Sequence, residues 1–233
     1  MALPFDLHST LIDIRESVAK AIELEQQTGQ LSACLKEQLE QLHRAVCLPD
    51  KAPKEALFRF AVDYIHAAPD CIEALHTLSV DAAATTYSDH FITTTCQYFN
   101  APPAIIQDYT GLRLLLNQAY LAHRLLEEVN DQVASIGGFQ LVPMDMAHAS
   151  LIMHCVLGES LANQLDHLVL LDIELSPVKK ELLDTEAFAH HQKTRAQQGW
   201  GEVLTRWPRL QNDLVIELQF GQTITVNLGE NSH

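Results

Sequence analysis

The stretch PMDMAHASLIMHCVLGESLANQLDHLVLL, from Pro143 to Leu171, is the part of the sequence that decides the fold. Its apolar side chains spread around a helical wheel and cannot form one stripe: Leu151, Ile152, Met153, Cys155, Val156, Leu157, Leu161, Leu165, Leu168 and Val169. A helix that is apolar on every side belongs inside a bundle, wrapped by other helices. The stretch therefore predicts a mainly α, multi-helix bundle around a buried central helix over about residues 143–171.

The N-terminal segment predicts two narrow amphipathic helices. Asp6 can cap the first, whose apolar positions recur at alternating spacings of four and three, and Gly29 ends it. The second has the same spacing and stops at Pro49. Residues 1–48 are therefore expected to form an αα-hairpin arm packed on the body or on a partner subunit. Residues 49–233 would form the helical bundle, and a single domain over 1–233 is the alternative.

Prolines and glycines divide the middle of the chain. We expect a third helix from Pro53 to about Ala67, a short fourth from Pro69 to about Ser79, and a threonine-rich fifth over about 81–99. A sixth runs from Gly111 to about Ser135. Because only the six residues 137–142 join it to the predicted central helix, the two should be antiparallel neighbours.

The C-terminal segment changes from helical to strand periodicity. Apolar and polar residues alternate on both sides of Gly221, which predicts a small β-hairpin over about residues 213–228. A lone hairpin is marginally stable in water, so this one needs a cover or a third strand. Within the chain Phe139–Val142 is the nearby candidate, and another subunit is the other possibility.

Composition excludes several classes of function. Apolar residues make up 47% of the chain and charged residues 19%, which is enough for a folded core. With 30 acidic and 15 basic residues the net charge is −15, which repels nucleic acids and anionic membrane surfaces. The five cysteines include no C-x-x-C pair, and neither a signal peptide nor a membrane-spanning run is evident. We therefore expect a cytoplasmic protein with reduced thiols, no nucleic-acid partner and no membrane.

Three residues are candidates for a metal site. His123 and Glu127 are one turn apart on the sixth helix, and folding that helix back on the next brings them to the height of Glu159. Imidazole and carboxylate groups suit divalent transition metals, the only cofactor class that the sequence suggests. The alternative is a histidine held by a carboxylate in a buried hydrogen-bond network that fixes helix register.

Further polar residues fall within the same apolar helices. Buried polar groups must find partners, so these residues are expected to form a buried polar network: Asn130, His148, His154, Asn163 and Asp166. No other motif with a known catalytic spacing stands out.

The sequence alone favours a protein without enzymatic activity that acts through protein–protein contacts, as an adaptor, regulator or chaperone-like factor. The expected partner is another copy of the chain or another protein. The alternative is a metal-dependent enzyme or small-ligand binder with a His/Glu site between helices 111–135 and 143–171. A ligand sensor with a pocket beside the threonine-rich helix is a third hypothesis.

Overall fold

The computed structural model describes residues 5–81, 85–138, 140, 147–175, 185–199 and 216–218. Within these ranges the chain forms eight α-helices, one 3₁₀ turn at Ala104–Ile106 and two short strands. The helices are α1 (Leu7–Thr28), α2 (Gln30–Leu39), α3 (Pro53–Asp81), α4 (Thr85–Asn100), α5 (Gly111–Gly137), α6 (Ala147–Leu157), α7 (Glu159–Leu175) and α8 (Glu186–Gln198). The predicted mainly α, multi-helix bundle is confirmed.

Helix α5 lies at the centre of the bundle. It contacts α1, α2, α3, α4, α6 and α7, and residues 115–122 are all buried. The small side chains of Ala119 and Ala122 let neighbouring helices approach closely. An apolar surface on every side is removed from water only when partners surround the helix. The helix predicted from Gly111 is thus confirmed, and it takes the central place that the sequence analysis gave to residues 143–171.

The predicted central helix over 143–171 is instead two shorter helices, α6 and α7. Gly158 separates them with a φ of +84°, a left-handed conformation that favours glycine. One flank of the pair faces water: Leu151 is 49% exposed and Leu170 is 46% exposed. The prediction that this segment is buried all round is therefore wrong, because α6 and α7 meet the bundle on one side only.

Helix α3 corrects a second prediction. The sequence suggested that Pro69 starts a new helix, yet α3 continues through it from Pro53 to Asp81. Proline removes one backbone donor from a helix interior. Packing offsets that cost, since Pro69 and the residues beside it, Ala68, Cys71 and Ile72, are buried.

Three threonines of helix α4 hydrogen-bond to the backbone of their own helix. The hydroxyls of Thr93, Thr94 and Thr95 donate to the carbonyls of Asp89, His90 and Phe91, four residues earlier. These side chains are thereby used within the helix.

The first helix uses the caps that the sequence indicated, but the prediction that the second runs to Pro49 is wrong: α2 ends at Leu39, and Val46–Cys47 pairs as a strand instead. The Asp6 carboxylate accepts from the N–H of His8 at 3.1 Å, and Gly29 ends α1 with a φ of +63°. Buried Glu25 accepts from the N–H groups of Leu31 and Ser32, which fixes the start of α2. Both helices contact α3 and contribute to the same apolar core as the rest of the bundle.

The two strands form one antiparallel pair. Strand β1 (Val46–Cys47) pairs with β2 (Glu217–Leu218), with Val46 opposite Leu218. The C-terminal strand therefore pairs with a strand near the end of the N-terminal segment. The sequence does not predict this partner, since its candidates are Phe139–Val142 and another subunit. The other strand of the predicted hairpin over 213–228 lies outside the described residues.

The described part of the chain contains no helix with both the length and the apolar character needed to cross a membrane. All five cysteines are free thiols.

Candidate functional site

A polar network lies along one side of α5, inside the apolar bundle. Tyr120 lies four residues before Arg124, and Glu127 and Glu128 lie three and four residues after it, so each of them projects next to Arg124. The Arg124 guanidinium donates to Glu127 and to Glu128 Oε1, the latter at 2.7 Å. It also donates to Asp166 Oδ1 on α7 at 3.1 Å. One cation thus holds three carboxylates at the junction of α5, α6 and α7.

The end of the network towards α3 is sealed from water. Ser150 Oγ on α6 donates to Glu127 Oε1 at 2.6 Å. Because that bond uses the only serine proton, the Tyr64 hydroxyl on α3 is the donor in its 3.2 Å bond to Ser150. Tyr64, Glu127 and Ser150 are all buried. This end of the network therefore has no open face through which a ligand enters.

His123 lies at the same sealed end. Its Nε2 is 3.0 Å from the carbonyl of Tyr64, which can only accept, so Nε2 carries the proton. Nδ1 is then a bare acceptor, and it is buried with no hydrogen-bond partner from the residues that the structure describes. Burial lowers the pKa of His123 to about 4, although the bond to the Tyr64 carbonyl acts in the opposite direction. His123 is consequently a neutral core residue near neutral pH.

The other end of the network reaches solvent between α5, α6 and α7. The Tyr120 hydroxyl donates to Asp166 Oδ1 at 3.0 Å and lies 2.9 Å from His154 Nδ1. His154 Nδ1 is also 3.3 Å from Asp166 Oδ2. Since the tyrosine proton goes to Asp166, neutral His154 carries its proton on Nδ1 and a lone pair on Nε2. We assign this tautomer from the hydrogen-bond partners.

The charges of the network respond to burial and to one another. Burial raises the pKa of the Glu127 carboxyl, while the Ser150 hydroxyl and the Arg124 guanidinium act in the opposite direction. Burial also disfavours the charge on Arg124, but the Glu127 and Asp166 carboxylates outweigh it and raise the Arg124 pKa. Burial and the Asp166 carboxylate raise the pKa of Tyr120, so its hydroxyl stays a donor.

A cavity of about 720 Å³ lies over the solvent end of the network, and we call it the His154 cavity. His154 and Cys155 of α6 form one wall, Glu159 and Asn163 of α7 another, and the segment after α2 contributes His43. His154 Nε2 has no hydrogen-bond partner among the described residues and keeps contact with solvent. It is therefore the group of the network that is free to meet a ligand.

The structure does not assemble the predicted metal site from its three candidates. His123 is turned towards α3, Glu127 is bonded to Ser150 and Arg124, and Glu159 is exposed in the first turn of α7. Among the described residues no group of three or more histidine, cysteine, aspartate or glutamate side chains is placed to hold a metal. The arrangement is a hydrogen-bonded network, as in the alternative, but His123 is held by the Tyr64 backbone carbonyl and not by a carboxylate.

The five residues of the predicted polar network have different environments. His154 and Asp166 contact each other, and Asn130 is buried on α5. Asn163 is exposed at the His154 cavity, and His148 is exposed with its Nε2 accepting from the N–H of Leu218. Neither belongs to a buried network, because α6 and α7 turn one flank to solvent.

Sequence reasoning missed Tyr64, Tyr120, Arg124 and Ser150. The signal for Arg124 was present: it is the only lysine or arginine between residues 114 and 137, and glutamates follow it three and four positions later. Tyr120, one turn before it, carries a hydroxyl that needs a partner when buried. Nothing in the sequence indicated that Ser150 and Tyr64 would meet Glu127, since three different helices supply them.

No protein-family model matches this chain, and no curated protein or solved structure is significantly similar to it.

Proposed function

We propose that this protein binds a small polar ligand in the His154 cavity, with His154 Nε2 as the hydrogen-bond acceptor. One observation carries the proposal: Asp166 and Tyr120 hold His154 through Nδ1, while Nε2 has no partner among the described residues and the His154 side chain lines a cavity. A carboxylate partner fixes the orientation and tautomer of an imidazole in this way, which prepares its other nitrogen to accept.

The surrounding charges favour a ligand that carries O–H or N–H donors. The network sets the carboxylates of Glu127, Glu128 and Asp166 against one guanidinium, and Glu159 adds another carboxylate at the cavity wall. A donor or an ammonium group is attracted to such a site, whereas an anion is repelled. The volume of about 720 Å³ falls within the range of about 300–1,000 Å³ that is typical of small-molecule sites.

The chemistry supports binding more than covalent catalysis. Cys155 is the thiol in the wall of the cavity, and burial together with Glu159 raises its pKa, which keeps it protonated and weakly nucleophilic. We therefore propose non-covalent recognition, without a covalent intermediate on Cys155.

The proposal is tested by ligand-observed NMR with a set of small alcohols, amides and amines. Wild-type protein is compared with His154→Phe, which removes the acceptor, and with the matched control His167→Phe on the exposed surface of α7. We expect donor-bearing compounds to bind the wild type and the control and to bind His154→Phe at least about tenfold more weakly.

A second readout separates loss of the acceptor from loss of folding. Histidine ¹⁵N shifts of the wild type should show His154 with its proton on Nδ1, and bound compounds should shift the Nε2 signal. Compounds that bind His154→Phe as well as the wild type would contradict the proposal, as would a His154 tautomer with its proton on Nε2.

A second candidate function, contact with another copy of the chain, is favoured by exposed leucines on α7. Leu171 is 41% exposed and Leu175, one turn later, is 81% exposed, and Leu170 lies beside them. Contiguous exposed apolar side chains often mark an interaction surface. This second candidate is one form of the hypothesis, drawn from the sequence, that the protein acts through protein–protein contacts.

Light scattering on purified protein tests the second candidate. We expect a dimer for the wild type and a monomer for the double variant Leu171→Glu/Leu175→Glu, with His167→Phe remaining a dimer. A wild type that is monomeric at all accessible concentrations would rule out contact between copies as the role of these leucines.

A further inference from the structure

A second cavity lies on the other side of the junction between α6 and α7, and we call it the Asn117 cavity. Its volume is about 580 Å³, and it is enclosed by α2, α5 and the start of α7. Apolar side chains that include Leu35, Leu116 and Val156 form much of its wall. The two cavities share Gln38, Gln41, Gly158 and Glu159, but His154 does not line the Asn117 cavity.

Asn117 is an unpaired polar group in this cavity wall. The residue is 1% exposed, and its buried Nδ2 has no hydrogen-bond partner within the part of the chain that the structure describes. A buried polar group without a partner costs folding free energy, so a native protein seldom retains one unless water or a ligand satisfies it. A half-turn of the amide exchanges Nδ2 and the oxygen, so Asn117 can present a donor to the cavity.

Arg113 is a second polar group of the cavity wall, and it has no carboxylate partner among the described residues. It lines the same cavity from the first turn of α5, where the helix dipole disfavours a cation. No carboxylate of the described residues pairs with it, although acidic residues outnumber basic ones two to one in this chain. Its guanidinium is held 5.0 Å from the centre of the Tyr109 ring, which orients it.

The start of α7 adds donors on the same side. Glu159, Ser160 and Leu161 are its first three residues and line the cavity. The N–H groups at the start of a helix have no carbonyl partner within it, and the helix dipole there favours negative charge. The Glu159 carboxylate opposes this effect, so the site suits an anion of single charge better than one of double charge.

We propose that the Asn117 cavity binds a small organic carboxylate, whose carboxylate group meets Arg113, Asn117 and the start of α7 and whose apolar part lies against the leucines. Planar guanidinium and amide groups match the geometry of a carboxylate. The proposal does not rest on ligand binding at His154, because Arg113 and Asn117 line the Asn117 cavity and not the His154 cavity.

Hexanoate is the probe, with 1-hexanol as the uncharged control of equal length and inorganic phosphate as the control for charge. Isothermal titration calorimetry on the full chain should show hexanoate binding at least about tenfold more tightly than either control. Equal binding of hexanoate and 1-hexanol would overturn the proposal, and so would tighter binding of phosphate.

Three variants assign the effect to the site. Arg113→Gln and Asn117→Leu should each weaken hexanoate binding by about tenfold or more, because each removes a donor. Glu159→Gln should tighten it, because it removes the nearest opposing charge. Hexanoate binding unchanged in both Arg113→Gln and Asn117→Leu would overturn the proposal. His154→Phe should leave hexanoate binding unchanged, which separates this test from the test of the His154 cavity.

Thermal unfolding separates a ligand-binding role of Asn117 from a structural one. If the Asn117 amide serves a ligand and no bond within the fold, replacing it with leucine, of similar volume, costs no stability. Asn117→Leu should therefore unfold at the wild-type temperature or above it. A clear drop in unfolding temperature for Asn117→Leu would show that the amide supports the fold, and it would contradict the proposal.

Discussion

His123 and His154 belong to the same side of the bundle, yet their environments are opposite. His123 is completely buried and bonded to a backbone carbonyl, whereas the side chain of His154 is 25% exposed and is held by a carboxylate. Burial without a charged partner makes His123 a neutral core group, with a pKa lowered to about 4. A carboxylate at Nδ1 and an open Nε2 make His154 a group that can act on a ligand. The difference shows that access and partner, more than residue type, separate a histidine sealed in the core from one that is open to a ligand.

Replacing Arg124 should have the largest effect on this comparison, because its guanidinium joins the sealed end to the solvent end. Arg124→Met leaves Glu127, whose side chain is 8% exposed, without its cation. An unpaired buried charge is strongly destabilising, so we expect the free energy of unfolding to fall by about 3 kcal/mol in urea titrations.

The matched control for this variant is Arg113→Met on the same helix, which breaks no ion pair. Its free energy of unfolding should change by no more than about 0.5 kcal/mol. If the two variants were equally stable, the guanidinium would not hold the two ends together.

The stability of the protein in mild acid should reveal the sealed histidine. The ordinary pKa of histidine is 6.5, and His123 in the folded protein has a pKa of about 4, so the unfolded chain binds more protons between these values. The contribution of neutral His123 to the free energy of unfolding is therefore complete above pH 6.5. It is lost as the pH falls, by up to about 3 kcal/mol at pH 4. Urea titrations of wild type and His123→Phe between pH 4 and pH 6.5 measure this loss of unfolding free energy.

The difference between the two pH profiles isolates His123, since the raised pKa of Glu127 gives both proteins an opposite contribution. His123→Phe should have the flatter profile, and His167→Phe, which removes an exposed imidazole, should follow the wild type. Parallel profiles for wild type and His123→Phe would mean that His123 is not held neutral.

Removing one polar group at each end should give the smallest effects and sharpen the comparison. Ser150→Ala removes the donor to Glu127 in a buried position and should cost about 1–2 kcal/mol of unfolding free energy. Asn163→Ala removes an exposed amide and should change it by no more than about 0.5 kcal/mol. Thermal and urea unfolding measure both changes. Equal losses of unfolding free energy would show that the solvent end of the network is as buried as the sealed end.

The sequence predicted much of the helical framework because its signals are local. Caps at Asp6 and Gly29, and the run of apolar residues after Gly111, depend on neighbours along the chain. Pro69 and Gly158 were misjudged for the same reason. A local rule does not predict whether tertiary packing stabilises a helix that continues past a proline, or whether a helix ends at a glycine.

By itself, the sequence determined the mainly α bundle and the presence of histidines and carboxylates within its apolar helices. Tertiary structure alone decided that α5 is the centre, that His123 is sealed against Tyr64, and that His154, held by Asp166, lines a cavity. Helix periodicity fixes which side chains share a face, and this is a property of short stretches of sequence. Which face is covered depends on contacts between helices that are far apart in the chain, and no single stretch encodes those contacts.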